Sequence, residues 1–145
     1  MPSGGGKLEW LDLGSGDTYW GATFSPDGRH LAYVSTETGI DEIFVQSWPL
    51  GRGKWQVSVD GGQFPVWSRD GKRIFYAKTS AIMAVDVDTS GTVQAGRPRE
   101  LFRGPYLTRT APVRNFDVGP GDRFVFVRRR TDVVAPRQLE VVIGW

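Results

Sequence analysis

Few residues in this chain have the type and spacing to do covalent chemistry, and each has a plainer reading. His30 is the sole histidine among 145 residues. A serine–histidine–aspartate relay would have to run through it. It opens an apolar run, however, at a place where two similar stretches carry Arg73 and Arg123. The sequence therefore reads His30 as a solvated residue at a strand start, whose replacement by alanine would cost under about 0.5 kcal/mol. Asp27 and Asp70 suggest a carboxylate pair of the glycosidase kind. Both occupy the third place of a turn, "SPDG" or "SRDG", where bonding to the neighbouring backbone already explains them. The stretch "DVDTSG", from Asp86 to Gly91, opens like a calcium loop, but Arg97 falls where an EF-hand needs its last carboxylate. Cysteine is absent, which removes thiolate metal sites, a cysteine nucleophile and a disulfide framework. The reading is thus of no catalytic residue, no metal and no cofactor.

The elements that would position these residues show themselves as a repeat. "FSPDGRHLAYVS" at 24–35 returns as "WSRDGKRIFYAK" at 67–78. Aligned on the aromatic before the turn, Phe24, Trp67 and Phe116 fall in register, and "DVGPGDRFVFVR" supplies a third copy with a longer turn. Asp and Gly in the last two turn places suit a tight reversal, because Asp bonds its own backbone and Gly accepts positive φ. Further apolar stretches follow each turn: "EIFVQSW" and "KWQVSV", "AIMAVDV" and "RELF", and "QLEVVIGW". No segment has a helical period of useful length. Neighbouring residues along the strands are apolar on both faces, as in "RFVFV" and "IFYA". A sheet with one wet face would alternate apolar and polar, so these sheets need cover on both sides. Short four-stranded units of this kind, stacked on one another, are β-propeller blades.

The repeated "SPDG"-type turns with their flanking strands resemble the TolB-like propeller repeats. The stretch "GKWQVSVDGGQFPVWSRDGKRIFYAKTSAIMAVDV" is similar to the propeller at the C-terminal end of many bacterial serine/threonine kinases. The resemblance covers roughly residues 20–145 and implies a ring of six blades that binds proteins or peptides, or serves as a sensor or scaffold. Kinase motifs are missing from this sequence: it has neither a glycine-rich nucleotide loop nor "HRD". The expectation is an all-β chain of three four-stranded antiparallel blades, half of such a ring. The blades fall at about 19–60, 62–103 and 111–145, after a flexible lead-in at 1–6. "KLEWLDL" at 7–13 is a candidate closing strand for the third blade, with a remnant of a preceding blade as the alternative. Of the five tryptophans considered as stacking platforms (Trp20, Trp48, Trp55, Trp67 and Trp145), Trp67 lies in the core register and packs between blades. Trp20 begins an innermost strand. With Gln63 and Arg114 from the corresponding strands it forms the expected binding rim at the channel mouth, ring packing being the plainer role for all three.

The bulk numbers agree with one soluble domain: 39% hydrophobic and 12% aromatic residues support a packed core. Net charge is +2, yet residues 97–137 hold ten arginines against four acids, about +6. We read this as an arginine-rich surface rather than a nucleic-acid site. There is no apolar run of about 20 residues and no signal-peptide pattern, which leaves a cytoplasmic location by default and a periplasmic one by family analogy. Three blades would leave two bare apolar ends, more than a soluble monomer tolerates. The expected partners are therefore a second copy, completing a six-bladed ring by a two-fold rotation, and a protein or peptide ligand. The competing readings are a propeller hydrolase or lyase with its site on the channel axis, and a truncated sensor domain of a kinase-like protein.

Overall fold

The computed structural model describes residues 6, 13, 18–49, 51, 53–104, 114–128 and 140–143; for 128 and 140–143 only the backbone is described. Among these residues the protein is all-β and antiparallel, without an α-helix. The first sheet follows chain order: β1 (Tyr19–Phe24), β2 (His30–Ser35), β3 (Glu42–Ser47) and β4 (Lys54–Gln56). In the second sheet, β5 (Gln63–Trp67), β6 (Arg73–Lys78) and β7 (Ala81–Asp88) are followed by two partners for β7. The short β8 (Gln94–Ala95) pairs with its far end, and β9 (Arg99–Arg103) with its start. The third sheet contains β10 (Phe116–Gly119), β11 (Arg123–Arg128) and β12 (Glu140–Ile143). Four strands per sheet thus holds for the first alone; the second has five and the third has three described. The candidate strand at 7–13 lies, apart from Leu13, outside the described residues.

The apolar pattern fixes how the sheets stack. On β6, Ile74 and Tyr76 join Ala32, Val34, Ile43 and Val45 of the first sheet in one buried cluster. Phe75 and Ala77, the alternate residues, join Phe116, Val118, Phe124 and Phe126 of the third sheet in another. Side chains alternate across a strand, so the second sheet is sandwiched between the other two. Trp67 sits in the first cluster, and its Nε1–H donates to the Thr23 carbonyl at 3.3 Å, a hydrogen bond between sheets.

The third copy of the repeat is registered differently from the alignment on Phe116. Phe24 stands opposite Leu31 and Trp67 opposite Ile74, but it is Val118 that stands opposite Phe124; Phe116 faces Phe126. The cause is the turn. The first two copies span theirs with four residues closed by Gly28 or Gly71, each at φ +70°. The third uses the three residues Pro120–Asp122, with Gly121 and Asp122 both at positive φ. A second difference is a bulge. Gly21 (φ +65°) and Phe64 (φ +56°) occupy the same repeat position, inside the register shifts of β1 and β5. No such shift interrupts the β10–β11 pairing.

Two expectations about exposure need correction. His30 is buried, 8% exposed, with Nδ1 unpartnered. Ser47 stands opposite it, and the Trp48 N–H bonds the Arg29 carbonyl beside it, so the chain leaving β3 folds back over the hairpin end. Arg73, at the equivalent place, faces Asp86 and stays half-exposed. A near-neutral His30→Ala is thus no longer expected. The end face of the first sheet also differs from a bare end. On the first sheet's outer face Leu31, Tyr33 and Phe44 are 2%, 1% and 4% exposed, with Leu13 and Tyr19 packed against them. The Tyr19 hydroxyl donates to the Leu13 carbonyl at 2.9 Å. On the third sheet's outer face Val125 is half-buried and Val127 exposed.

The sandwich makes a direct prediction. Ile74→Ala and Phe75→Ala, neighbours on opposite faces of β6, should each cost about 2–5 kcal/mol in urea unfolding. A near-neutral result for either would mean that one face of the second sheet is not packed.

Candidate functional site

The repeated turns are built by the same set of hydrogen bonds. In the first, Ser25 Oγ donates to Asp27 Oδ1 at 2.6 Å, the Arg29 N–H donates to the same oxygen at 3.0 Å, and the His30 N–H donates to Ser25 Oγ at 3.0 Å. In the second, Ser68, Asp70, Lys72 and Arg73 repeat the set at 2.6, 3.0 and 2.9 Å. These bonds hold both carboxyls below the usual value of 3.8, the serine hydroxyl contributing most and the backbone N–H next. A proton-donating carboxylic acid needs the opposite shift. Asp27 and Asp70 are turn-builders, and each copy bonds within itself.

The two turns and the β7–β8 hairpin enclose an open cleft of about 1010 Å³, lined by Asp27, Arg29, Asp70, Lys72, Asp86 and Asp88 among others. Its acids are occupied. Asp86 pairs with Arg99 at 3.0 Å, and Asp88 accepts from the Ser90 N–H and hydroxyl at 2.9 and 2.7 Å. "DVDTSG" is therefore a hairpin end closed by an Asp–Ser bond.

A smaller pocket, about 360 Å³, forms where β1, β5 and β10 come together at their turn ends. Thr23 and Phe24 of β1, Val66 and Trp67 of β5, and Asp117 and Val118 of β10 make its walls, with Pro26, Ser68, Arg69 and Arg114 around them. Phe24 is 50% exposed, its ring held edge-on to Trp48 at 5.4 Å. The Arg114 guanidinium lies 3.9 Å from Asp117.

The three residues expected at the binding rim are not gathered into one site. Trp20 is half-buried, its ring edge-on to Phe64 at 5.1 Å and packed on the cluster between the first two sheets. Gln63 is exposed and donates to Asp41 Oδ2 at 2.6 Å, lining a separate recess of about 240 Å³ with Asp60 and Lys78. Only Arg114 reaches the inner pocket. The missing bulge contributes to this. Trp20 and Gln63 stand opposite Val34 and Ala77, while the third sheet puts Asn115 at that register place: the Val127 N–H donates to the Asn115 carbonyl at 2.8 Å.

Sequence reasoning missed Phe24 and Arg69 as site residues. Phe24 aligns with Trp67 in the repeat, yet Trp67 is buried between sheets and Phe24 is exposed. Arg69 carried a signal: it replaces Pro26 in the otherwise matching turn. Glu42 was missed too. It is 3% exposed at the start of β3, accepting from the Ser58 hydroxyl and from the Gly61 N–H at 2.9 Å. Ser58 Oγ in turn accepts the Ile43 N–H at 2.7 Å. Burial foremost, with the Glu42 charge adding to it, raises the nearby Tyr76 hydroxyl to about 12. This buried set pins the chain that leads from β4 into β5.

No helix among the described residues is long and apolar enough to cross a membrane. No protein-family model matches the chain, and no curated protein matches it.

The lowered carboxyls give a pH dependence. A folded pKa below the unfolded one adds stability above about pH 3.8, and that stability is lost as pH falls through the folded values. Both groups are exposed, so the effect is modest. Between about pH 5 and about pH 3 the urea midpoint should fall further for the native chain than for the Asp27→Asn, Asp70→Asn double variant. Equal losses would show that these carboxylates do not hold the turns.

Proposed function

We propose that the chain is a non-catalytic binding module whose sheets are β-propeller blades of the TolB-like type, and that it binds a protein or peptide where the innermost strands converge. The pocket of about 360 Å³ carries this reading, because its walls come from the first strand of each of the three stacked sheets. In a propeller, sheets repeat radially around a central channel, and this pocket then lies at the channel mouth. Two-sided packing of the second sheet and the identical turns of the first two copies support the blade assignment. The path β5–β6–β7–β9 serves as a four-stranded blade, with β8 a side pairing on β7. An exposed aromatic fixed by its neighbour, rimmed by polar groups, is the composition of a recognition surface.

Panning a random peptide library on the intact chain tests the reading. Selected peptides should shift the backbone amide signals of Thr23, Phe24, Ser68 and Val118, and Phe24→Ser should weaken them by about tenfold. Peptides that move only residues elsewhere would overturn it.

The same reading places two copies in one six-bladed ring, the third sheet of one against the first sheet of the other. Val127, 46% exposed, is on the approaching face. The receiving face already holds Leu13 and Tyr19, so ring closure has to displace them. Deleting residues 1–17 should shift sedimentation toward a dimer, and Val127→Asp in that background should restore the monomer. A chain that stays monomeric with and without residues 1–17 would end the ring model while leaving the peptide site standing.

A further inference from the structure

We infer that the inner pocket selects a peptide carboxylate, an acidic side chain or a C-terminus, next to an apolar side chain. This inference rests on the proposed binding reading and names the chemistry of its ligand. Two arginines line the pocket from different sheets, Arg69 from the turn after β5 and Arg114 from the approach to β10. The Arg69 side chain has no ion pair or hydrogen bond among the described residues. Its neighbour Asp70 is turned to the backbone instead, its Oδ1 accepting from Ser68 Oγ and the Lys72 N–H. Among the described residues Arg114 has only Asp117, at 3.9 Å. Charge-assisted N–H···O bonds run at about 2.7–2.9 Å, so the Arg114 fork is not saturated.

The charge count then chooses the ligand. Among the described residues, two cations and one anion leave the pocket with one uncompensated positive charge, which a single carboxylate balances. Guanidinium forks match a carboxylate in two parallel hydrogen bonds. Beside them the wall is apolar, with Phe24 half-exposed and Val66 and Val118 behind it. A volume of about 360 Å³ lies at the lower end of ligand pockets, room for about two side chains. An anion alone would leave the Phe24 surface wet; an apolar residue alone would leave Arg69 unmatched.

The test uses the intact, 15N-labelled chain and two capped peptides, Gly-Phe-Glu-Phe-Gly and its Gln counterpart, with inorganic phosphate as a third probe. The Glu peptide should shift Thr23, Arg69 and Val118 and bind at least about tenfold more tightly than the Gln peptide. Arg69→Gln should erase that difference, and Asp117→Asn should enlarge it. Arg97→Gln, outside the pocket, should change nothing. An unchanged amide spectrum away from the pocket establishes that the variants fold. Equal binding of the two peptides at the pocket would overturn carboxylate selection and leave the peptide-binding reading intact. Phosphate that displaces the Glu peptide at equal concentration would overturn the peptide carboxylate in favour of a general anion site. If neither peptide moves the pocket residues, carboxylate selection fails; if library-selected peptides also leave them unmoved, the binding reading fails with it.

Discussion

The second sheet is apolar on both faces, and the rest of the molecule follows from that. Ile74, Phe75, Tyr76 and Ala77 are 0%, 1%, 0% and 6% exposed, consecutive residues of one strand that serve two cores. A strand of this kind cannot sit at a surface. Water on one side would expose Ile74 and Tyr76, and on the other Phe75 and Ala77, about 1.5–3 kcal/mol for each large side chain. The first and third sheets are therefore pressed against it from opposite sides, and their first strands are brought beside β5. The inner pocket is the gap left where those three strands end.

At that gap, acids and bases have been treated unequally by the backbone. A short aspartate in a turn can reach its own N–H groups, and Asp27, Asp70 and Asp88 all do so. Arginine and lysine have no such local acceptor at the same places. The acids are consumed in making the turns, while Arg29, Arg69 and Lys72 have no side-chain partner among the described residues. A nearly neutral chain in this way presents cations along its turn edge. Glu42 extends the rule to the interior. A buried carboxylate is tolerable only when bonded, and its acceptors hold the Ser58 hydroxyl and the Gly61 N–H that position the entry into β5.

What the sequence made legible was whatever repeats with a fixed spacing. The turn residues, the two-sided strands and the place of Trp67 between sheets follow from "SPDG", "SRDG" and the alternation in "IFYA". Where copies differ by one residue the reading slipped. A three-residue turn and the lack of a bulge move Val118 into the position given to Phe116, and put Asn115 rather than Arg114 opposite residue 127. Periodicity of two cannot see an inserted residue, because a bulge shifts register without changing composition. His30 failed for another reason. Its burial is set by where the chain goes after β3, a tertiary fact absent from its own neighbours in sequence. Trp20 and Gln63 lie on the first strands of their sheets, but strand position did not decide which cavity a side chain meets.

A stack of two-faced sheets must also end, and its two ends are resolved differently. At the first sheet the outer aromatics remain large and are covered: Tyr33 lies 6.0 Å from Tyr19 edge-on and donates to Gln46 Oε1 at 3.1 Å, so its buried hydroxyl is satisfied. At the third sheet the described aromatics are kept inside. Phe116, Phe124 and Phe126 all turn toward the second sheet, while Val125 and Val127 take the other face, half-buried and exposed. A valine costs less to expose than an aromatic ring. The pocket is indifferent to this choice. Its walls come from β1, β5 and β10 of one chain, so the proposed peptide site requires the stack and does not wait for a ring.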